Sequence, residues 1–314
     1  MLASCTAPQA PDALAGWGED RFEEALPALA GSCAKPGALP PSLCAAARAV
    51  PRGDRAAARA FFAAHFVLDT SAEGLVTGYY EPELAGALGP SARARVPLYR
   101  PPPDRARYDR AAIAAGALRG QGLELLWLED PVDAFFLHVQ GAGRVRLADG
   151  GVVRVGYAGD NGRRYVPIGR LLADRGAIPR DQVSMATIRA WLARDPARAA
   201  ALMNENPRFI FFRRLDALAA DSGPVGAMGV PLVAGRSIAV DTAQVPLGSA
   251  AWLETTDPAD GRPLRRLVFA QDRGAAITGP GRADLFWGTG AEAGARAGAM
   301  RSPGRLTILR PDPG

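Results

Sequence analysis

The spacing of apolar positions changes character three times along the 314 residues. Residues 6–18 are rich in Pro, Ala and Gly and read as a tether. Phe22, Leu26 and Leu29 then recur at helical spacing behind a first turn crowded with acids, which predicts a helix. Two Ala-rich helices are predicted near 41–49 and 53–65, and a Pro-rich break over 35–42 separates them from the first. At Leu75 the period becomes two. Leu75-Val76-Thr77-Gly78-Tyr79-Tyr80 reads as a strand ended by Glu81-Pro82, and a further strand is predicted over 134–140. Residues 144–157 alternate on both sides of Asp149-Gly150-Gly151, the pattern of a hairpin. Helices are predicted at about 168–175 and 185–204, then a strand at 208–213. The C-terminal part is cut by Gly and Pro into short strands at 236–241, 251–255, 264–271 and 305–309, with one helix at about 291–300. Short strands with little helix suggest a barrel.

Composition narrows the class. With 48% apolar residues, the chain can bury a large core and is long enough for two domains. No apolar run approaches the ~18–20 residues of a membrane span. The net charge is +5, and Lys35 is the only lysine, so arginine supplies the rest. A basic chain favours an acidic partner such as nucleic acid, a membrane surface or an anionic glycan. GC-rich coding DNA would also enrich Arg, Ala, Gly and Pro. The arginines form no basic stripe interleaved with aromatics, which argues against nucleic acid. His65 and His138 lie far apart among apolar residues and read as core or rim histidines; CxxC and HExxH are both missing. Metal ligation is therefore not expected. Leu2-Ala3-Ser4-Cys5 fits the end of a bacterial lipoprotein signal and makes Cys5 a lipidation candidate, although the charged and apolar parts of such a signal are missing. In an exported chain Cys33 and Cys44 would pair as a disulfide; two buried thiols are the alternative, and both stay open.

The chemistry concentrates in residues 271–300. Asp272 and Asp284 flank a Gly-rich turn, and Phe286-Trp287 follows directly. A carboxyl beside aromatic rings suits carbohydrate cleavage: the acid protonates a glycosidic oxygen, and flat rings stack on sugar faces. Apolar neighbours raise a carboxyl pKa, which suits Asp284 as general acid. Asp272 reads as a second catalytic carboxylate or, preferably, as an acceptor that positions Asp284. Asp241 ends a strand and reads equally as a hydrogen-bonded corner or a functional group. Tyr79, Tyr80 and Glu81 at a strand end, Gln140 beside a tight turn, and Phe286 with Trp287 are substrate-binding candidates. One of the two tyrosines would also fit the core. Gly141-Ala142-Gly143 is not a phosphate loop, because Arg146 breaks GxGxxG. With no GxSxG and two histidines there is little scope for a Ser-His-Asp arrangement.

Several segments resemble the MltA family of lytic transglycosylases, which cut bacterial peptidoglycan. They are Thr77-Gly78-Tyr79-Tyr80-Glu81-Pro82, the run from 138 to 147, Gly156-Tyr157-Ala158-Gly159-Asp160-Asn161-Gly162, Asn206-Pro207-Arg208-Phe209-Ile210-Phe211-Phe212, and 223–300. The likeness covers roughly residues 70–310 in the family's order. The last portion also resembles the 3D domain, named for three aspartates, with Asp241, Asp272 and Asp284 at the matching positions.

The resemblance implies a mainly β fold with α (α+β). A double-psi β-barrel would be formed by both chain ends, with an inserted second β-rich domain and a glycan groove between the two. On that basis residues 1–18 are signal remnant and tether, 19–90 and 226–314 the barrel domain with N-terminal helices, and 91–225 the insert. It also implies cleavage of the β-1,4 bond between N-acetylmuramic acid and N-acetylglucosamine without water. Asp284 would act as both acid and base, supported by Asp272 and Asp241, with no metal or cofactor. The implied partner is the peptidoglycan strand, at the periplasmic face of the outer membrane through a lipid on Cys5; a wall-synthesis complex stays open. Some members have His-Phe before the aspartate where this chain has Arg282-Ala283. Two rivals remain. One is an inverting hydrolase with Asp272 as base, for which the carboxyls would stand ~6.5–9.5 Å apart. The other is a non-catalytic, expansin-like glycan-binding wall protein.

Overall fold

A computed structural model describes residues 9–219 and 221–313; Cys5 lies outside them. The chain divides into two compact units. The first comprises Met1–Tyr79, Val225–Gly288 and Met300–Gly314, and the second Tyr80–Pro224 and Thr289–Ala299.

In the first unit three helices, α1 (Leu26–Cys33), α2 (Pro41–Ala49) and α3 (Arg55–His65), precede the long strand β1 (Phe66–Glu81). Asp54 caps α3 by accepting from the Ala57 N–H at 2.9 Å. The helical period of α3 turns Ala58, Phe61 and Phe62 inward, where they pack with Trp17, Phe22, Trp252 and Phe269. Cys33 and Cys44 are joined in a disulfide that ties α1 to α2, so the pairing alternative holds over the free thiols.

β1 belongs to a closed barrel with β8 (Ser237–Val240), β9 (Ala250–Thr256), β10 (Pro263–Asp272), β11 (Ala283–Thr289) and β12 (Arg301–Pro311), in the order β1-β11-β8-β10-β9-β12. β8 and β10 are parallel, whereas β1 with β12, β9 with β10 and β9 with β12 are antiparallel. Val76, Ile238, Val240, Leu253, Val268, Leu285 and Leu306 share one buried cluster within this unit. Buried Arg236 donates to Asp20 Oδ2 at 2.8 Å and to the Leu267 carbonyl at 3.1 Å, which fastens the segment before α1 to β10. The expected fold class is observed: mixed α and β, with a barrel drawn from both ends of the chain.

The second unit carries β2 (Glu83–Ala87), β3 (Val96–Tyr99), β4 (Glu124–Leu128), β5 (Ala142–Arg146), β6 (Val152–Asp160) and β7 (Ile210–Arg214) as one sheet, ordered β3-β4-β2-β5-β6-β7. Its helices are α4 (Arg110–Ala114), α5 (Pro131–Gln140), α6 (Ile168–Asp174), α7 (Met185–Leu192), α8 (Pro196–Asn204) and α9 (Gly290–Ala299). The β5–β6 hairpin appears as read.

Residues 134–140 are helix, not strand. Asp130 caps α5 by accepting from the Val132 N–H at 2.7 Å, and Pro131 occupies the first turn. The apolar run has no visible period because opposite sides of α5 are both covered. Ala134 and Leu137 join one core cluster; Phe135 and Phe136 join another. α9, assigned to the barrel on sequence, groups with the second unit.

Candidate active site

The three aspartates all lie in the barrel unit, and each is held differently. Asp284 sits in β11, paired with Ala239 of β8. Its Oδ1 accepts from the Thr77 hydroxyl at 2.5 Å. Thr77 and Tyr79 are two apart in β1 and so share a face. Arg282 completes the group: its Nη2 donates to Thr77 Oγ1 at 3.0 Å, and its Nη1 donates to the carbonyls of Leu75 and Ala283. The guanidinium is thus anchored to backbone, and Thr77 relays between it and the carboxyl.

Asp272 ends β10 and accepts from three donors. Oδ1 accepts from the Ala227 N–H at 2.8 Å and the Arg273 N–H at 2.9 Å; Oδ2 accepts from the Tyr79 hydroxyl at 3.0 Å. Tyr79 is therefore the core tyrosine of the pair. Its ring packs on Phe286 at 5.3 Å between centroids, in a buried cluster with Leu232, Ala239 and Ile277.

Asp241, just past β8, accepts from the Gly279 N–H at 2.7 Å and the Ala243 N–H at 3.0 Å. It pins the Gly-rich turn that leads into β11. Backbones meet closely there: a Cβ on Gly281 would clash with the Glu73 carbonyl, and Gly281 has φ +65°. Only glycine fits that approach, and it keeps Arg282 and Asp284 beside Thr77.

Electrostatics separate the three carboxyls. Burial pushes the Asp284 carboxyl up to about 6, against the Thr77 hydrogen bond and the Arg282 charge, which pull it down. Asp272 is also raised by burial, opposed by its backbone and Tyr79 hydrogen bonds. Asp241 is lowered, chiefly by the Gly279 and Ala243 N–H groups. The Asp284 carboxyl is set to hold a proton close to neutral pH, and it keeps partial solvent access. Thr77→Val removes a bond that favours the charged form. Its expected effect is an Asp284 midpoint about one unit higher, read by titrating the carboxyl carbon with NMR.

The aromatic and polar candidates divide. Phe286 is 1% exposed and frames the site from within; it is not free to stack on a sugar. Trp287 is partly exposed and its indole N–H donates to Met300 Sδ at 3.1 Å. In the second unit the Tyr80 N–H donates to Gln140 Oε1 at 3.1 Å, and both side chains keep partial exposure. Glu81 is fully buried in an ion network with Arg144 and Arg154, so direct contact with a ligand is ruled out.

Sequence reasoning missed Thr77 as a site residue and treated Arg282 only as a departure from the pattern. The two-residue spacing of Thr77 from Tyr79 on one strand was the signal for the first.

Models of two known domains match the chain, the MltA specific insert domain over residues 75–213 and the 3D domain over 236–310. The chain is 36% identical over 247 residues to the membrane-bound lytic murein transglycosylase A of Escherichia coli K12, a match that spans 76% of this chain and 66% of that relative. Among solved structures it is similar to the lytic transglycosylase LtgG of Burkholderia pseudomallei, with 44% identity, a TM-score of 0.69, and 99% and 97% of the two chains covered. It is also similar to E. coli MltA with bound chitohexaose, with 30% identity, a TM-score of 0.77, and 98% and 95% covered.

Proposed function

The chain belongs to the MltA family of lytic transglycosylases, and on that premise we propose that it cleaves the β-1,4 bond between N-acetylmuramic acid and N-acetylglucosamine in peptidoglycan and leaves a 1,6-anhydromuramic end. The observation that carries this reading is the proton-holding carboxyl of Asp284, poised at about 6 beside Thr77 and Arg282.

Asp284 donates its proton to the glycosidic oxygen as the bond to C1 of the muramic residue breaks. The resulting carboxylate then takes the proton from the muramic O6 hydroxyl as O6 bonds to C1. The proton count closes on one carboxyl, and no water is consumed. Ordinary glycosidases need a second carboxylate as base or nucleophile; here the nucleophile comes from the substrate. Asp272 suits a supporting role, because three donors engage its oxygens and leave it poorly placed to activate water. Asp241 would hold the turn. Tyr80, Gln140 and Trp287 remain the candidates for glycan contact. A chitohexaose bound to a relative supports a glycan ligand, and relatives named as membrane-bound support action at a membrane; for this chain we propose the periplasmic face of the outer membrane, held by a lipid on Cys5.

The test is mass spectrometry of purified peptidoglycan after digestion. Muropeptides lighter by one water than hydrolysis products are the expected result. Reducing ends would instead mean a hydrolase. Glycan binding without products would mean a binding protein.

A further inference from the structure

Gln271 immediately precedes Asp272 and is fully buried. It is also the most heavily engaged neutral side chain near the site. Its Nε2 donates to the Ala28 carbonyl at 2.6 Å and to Ser32 Oγ at 3.1 Å, both on α1. Its Oε1 accepts from the Ser237 hydroxyl of β8 at 2.6 Å. Its backbone carbonyl accepts from the Met228 N–H at 3.0 Å, next to the Ala227 N–H that binds the Asp272 carboxylate. The fit is close: a Cβ on Gly31 would lie 3.2 Å from the amide nitrogen, and one on Gly226 would lie 2.6 Å from the Gln271 carbonyl oxygen. The Cys33–Cys44 disulfide begins one residue after Ser32 and holds the same turn of α1.

These contacts form one path: disulfide, α1, the Gln271 side-chain amide, the Gln271 backbone carbonyl with the 226–229 turn, and the Asp272 carboxylate with Tyr79. The buried amide's partners are Ala28, Ser32 and Ser237, and an apolar side chain of equal length would make none of these bonds and would not fix the rotation of residues 271 and 272. We infer that Gln271 is a positioning residue for Asp272, anchored on α1, whose place the disulfide holds, and that Asp272 in turn sets the surroundings of Asp284. This rests on the reading of Asp284 as the acid given above.

The charged and titratable groups involved are few. Asp272 faces Tyr79 and Arg273; Asp284 faces Arg282 and Asp272. If the Ala227 turn loosens, Asp272 loses donors that favour its charge, and its titration midpoint rises. A less charged Asp272 repels Asp284 less, so the Asp284 midpoint falls by a few tenths of a unit. The two carboxyls move in opposite directions, which general loosening of the fold does not require.

The experiment is a carbon-13 titration of the aspartate carboxyls in the full chain, wild type and Gln271→Met, with turnover measured per folded molecule. Opposite shifts and a kcat reduced about tenfold or more are expected. Reduction of the disulfide by dithiothreitol, which takes up two electrons and two protons to give two thiols while the reagent becomes a cyclic disulfide, should shift the wild type in the same sense and add nothing in Gln271→Met. If Gln271→Met does not fold, Gly31→Ala presses on the same amide and should show the same opposite shifts. A lowered Tm with both midpoints and kcat unchanged would overturn the inference and leave Gln271 as packing. Additive effects of reduction and substitution would remove α1 and the disulfide from the path and overturn it as stated. If the wild type makes no anhydro product, the reading of the reaction fails, yet the titrations still decide the positioning.

Discussion

Asp284→Asn is expected to cut formation of anhydromuramic ends by at least about a thousandfold and at the same time to make the protein more stable at neutral pH. The first effect follows from the chemistry. An amide keeps the shape of the carboxyl and an oxygen to accept from Thr77, but it has no proton to give to the leaving oxygen and no basic oxygen for the O6 proton. Asp272 and Asp241 are poor substitutes, since both are engaged as acceptors of backbone N–H groups. The second effect follows from linkage. The folded carboxyl keeps its proton up to about pH 6, whereas the ordinary value is 3.8. Between those two values the folded state binds more protons than the unfolded state, so stability falls as pH rises through the window, and the whole penalty stands at pH 7. Asparagine carries no such penalty. Its gain at pH 7 is on the order of 1–3 kcal/mol, discounted for the partial exposure of the side chain, and it should vanish below about pH 4. Muropeptide analysis paired with thermal melts at pH 4 and pH 7 checks both. Lost turnover together with a lower Tm at pH 7 would instead make Asp284 a structural residue.

The site was legible in sequence because its chemistry is local. Asp272, Asp284 and the glycines between them lie within one stretch, and apolar neighbours around Asp284 foretold its raised pKa. The partners were not legible. Thr77 is 207 positions from Asp284, and no local pattern links β1 to β11. Barrel closure from both chain ends likewise came only with the family resemblance. Residues 134–140 defeated the period argument because α5 is covered on opposite sides and shows no polar stripe. The capping aspartate and the proline at 130 and 131 were the overlooked sign. Phe286 shows a different limit. An aromatic next to a catalytic carboxyl suggests sugar stacking, but strand alternation turns Phe286 to the same side as Asp284 while Tyr79 closes over it. Which of two adjacent rings reaches solvent depends on packing that the residue names do not carry.

Glu81 is the second case in which residue type suggested contact with ligand and burial assigns a framework role, and here the effect of substitution is expected to fall on stability. Its carboxylate is fully buried between two guanidinium groups: Arg144 Nε donates to Oε2 at 2.9 Å, and Arg154 Nη2 donates to Oε1 at 3.0 Å. Thr289 adds a third donor to Oε2 at 2.8 Å. The arginines also reach the carbonyls of Ser222 and Ala219, so the carboxylate of Glu81 gathers β5, β6, Ala219, Ser222 and Thr289 at the end of β11, all within the second unit. Taking an ion pair out of water is costly, and the attraction offsets that cost only while the pair is intact. Glu81→Ala leaves two guanidiniums facing each other without their counter-charge, one of them almost fully buried. The expected cost is about 3–5 kcal/mol, measured by urea unfolding at neutral pH. Glu81→Gln keeps the shape and one acceptor oxygen but loses the charge and the second acceptor, and should lose less stability than Glu81→Ala. A role in binding glycan predicts the reverse pattern: an unchanged unfolding midpoint with weakened oligosaccharide affinity. Because the side chain has no exposed surface, we expect the loss to appear in the unfolding curve, with affinity per folded molecule retained in Glu81→Gln.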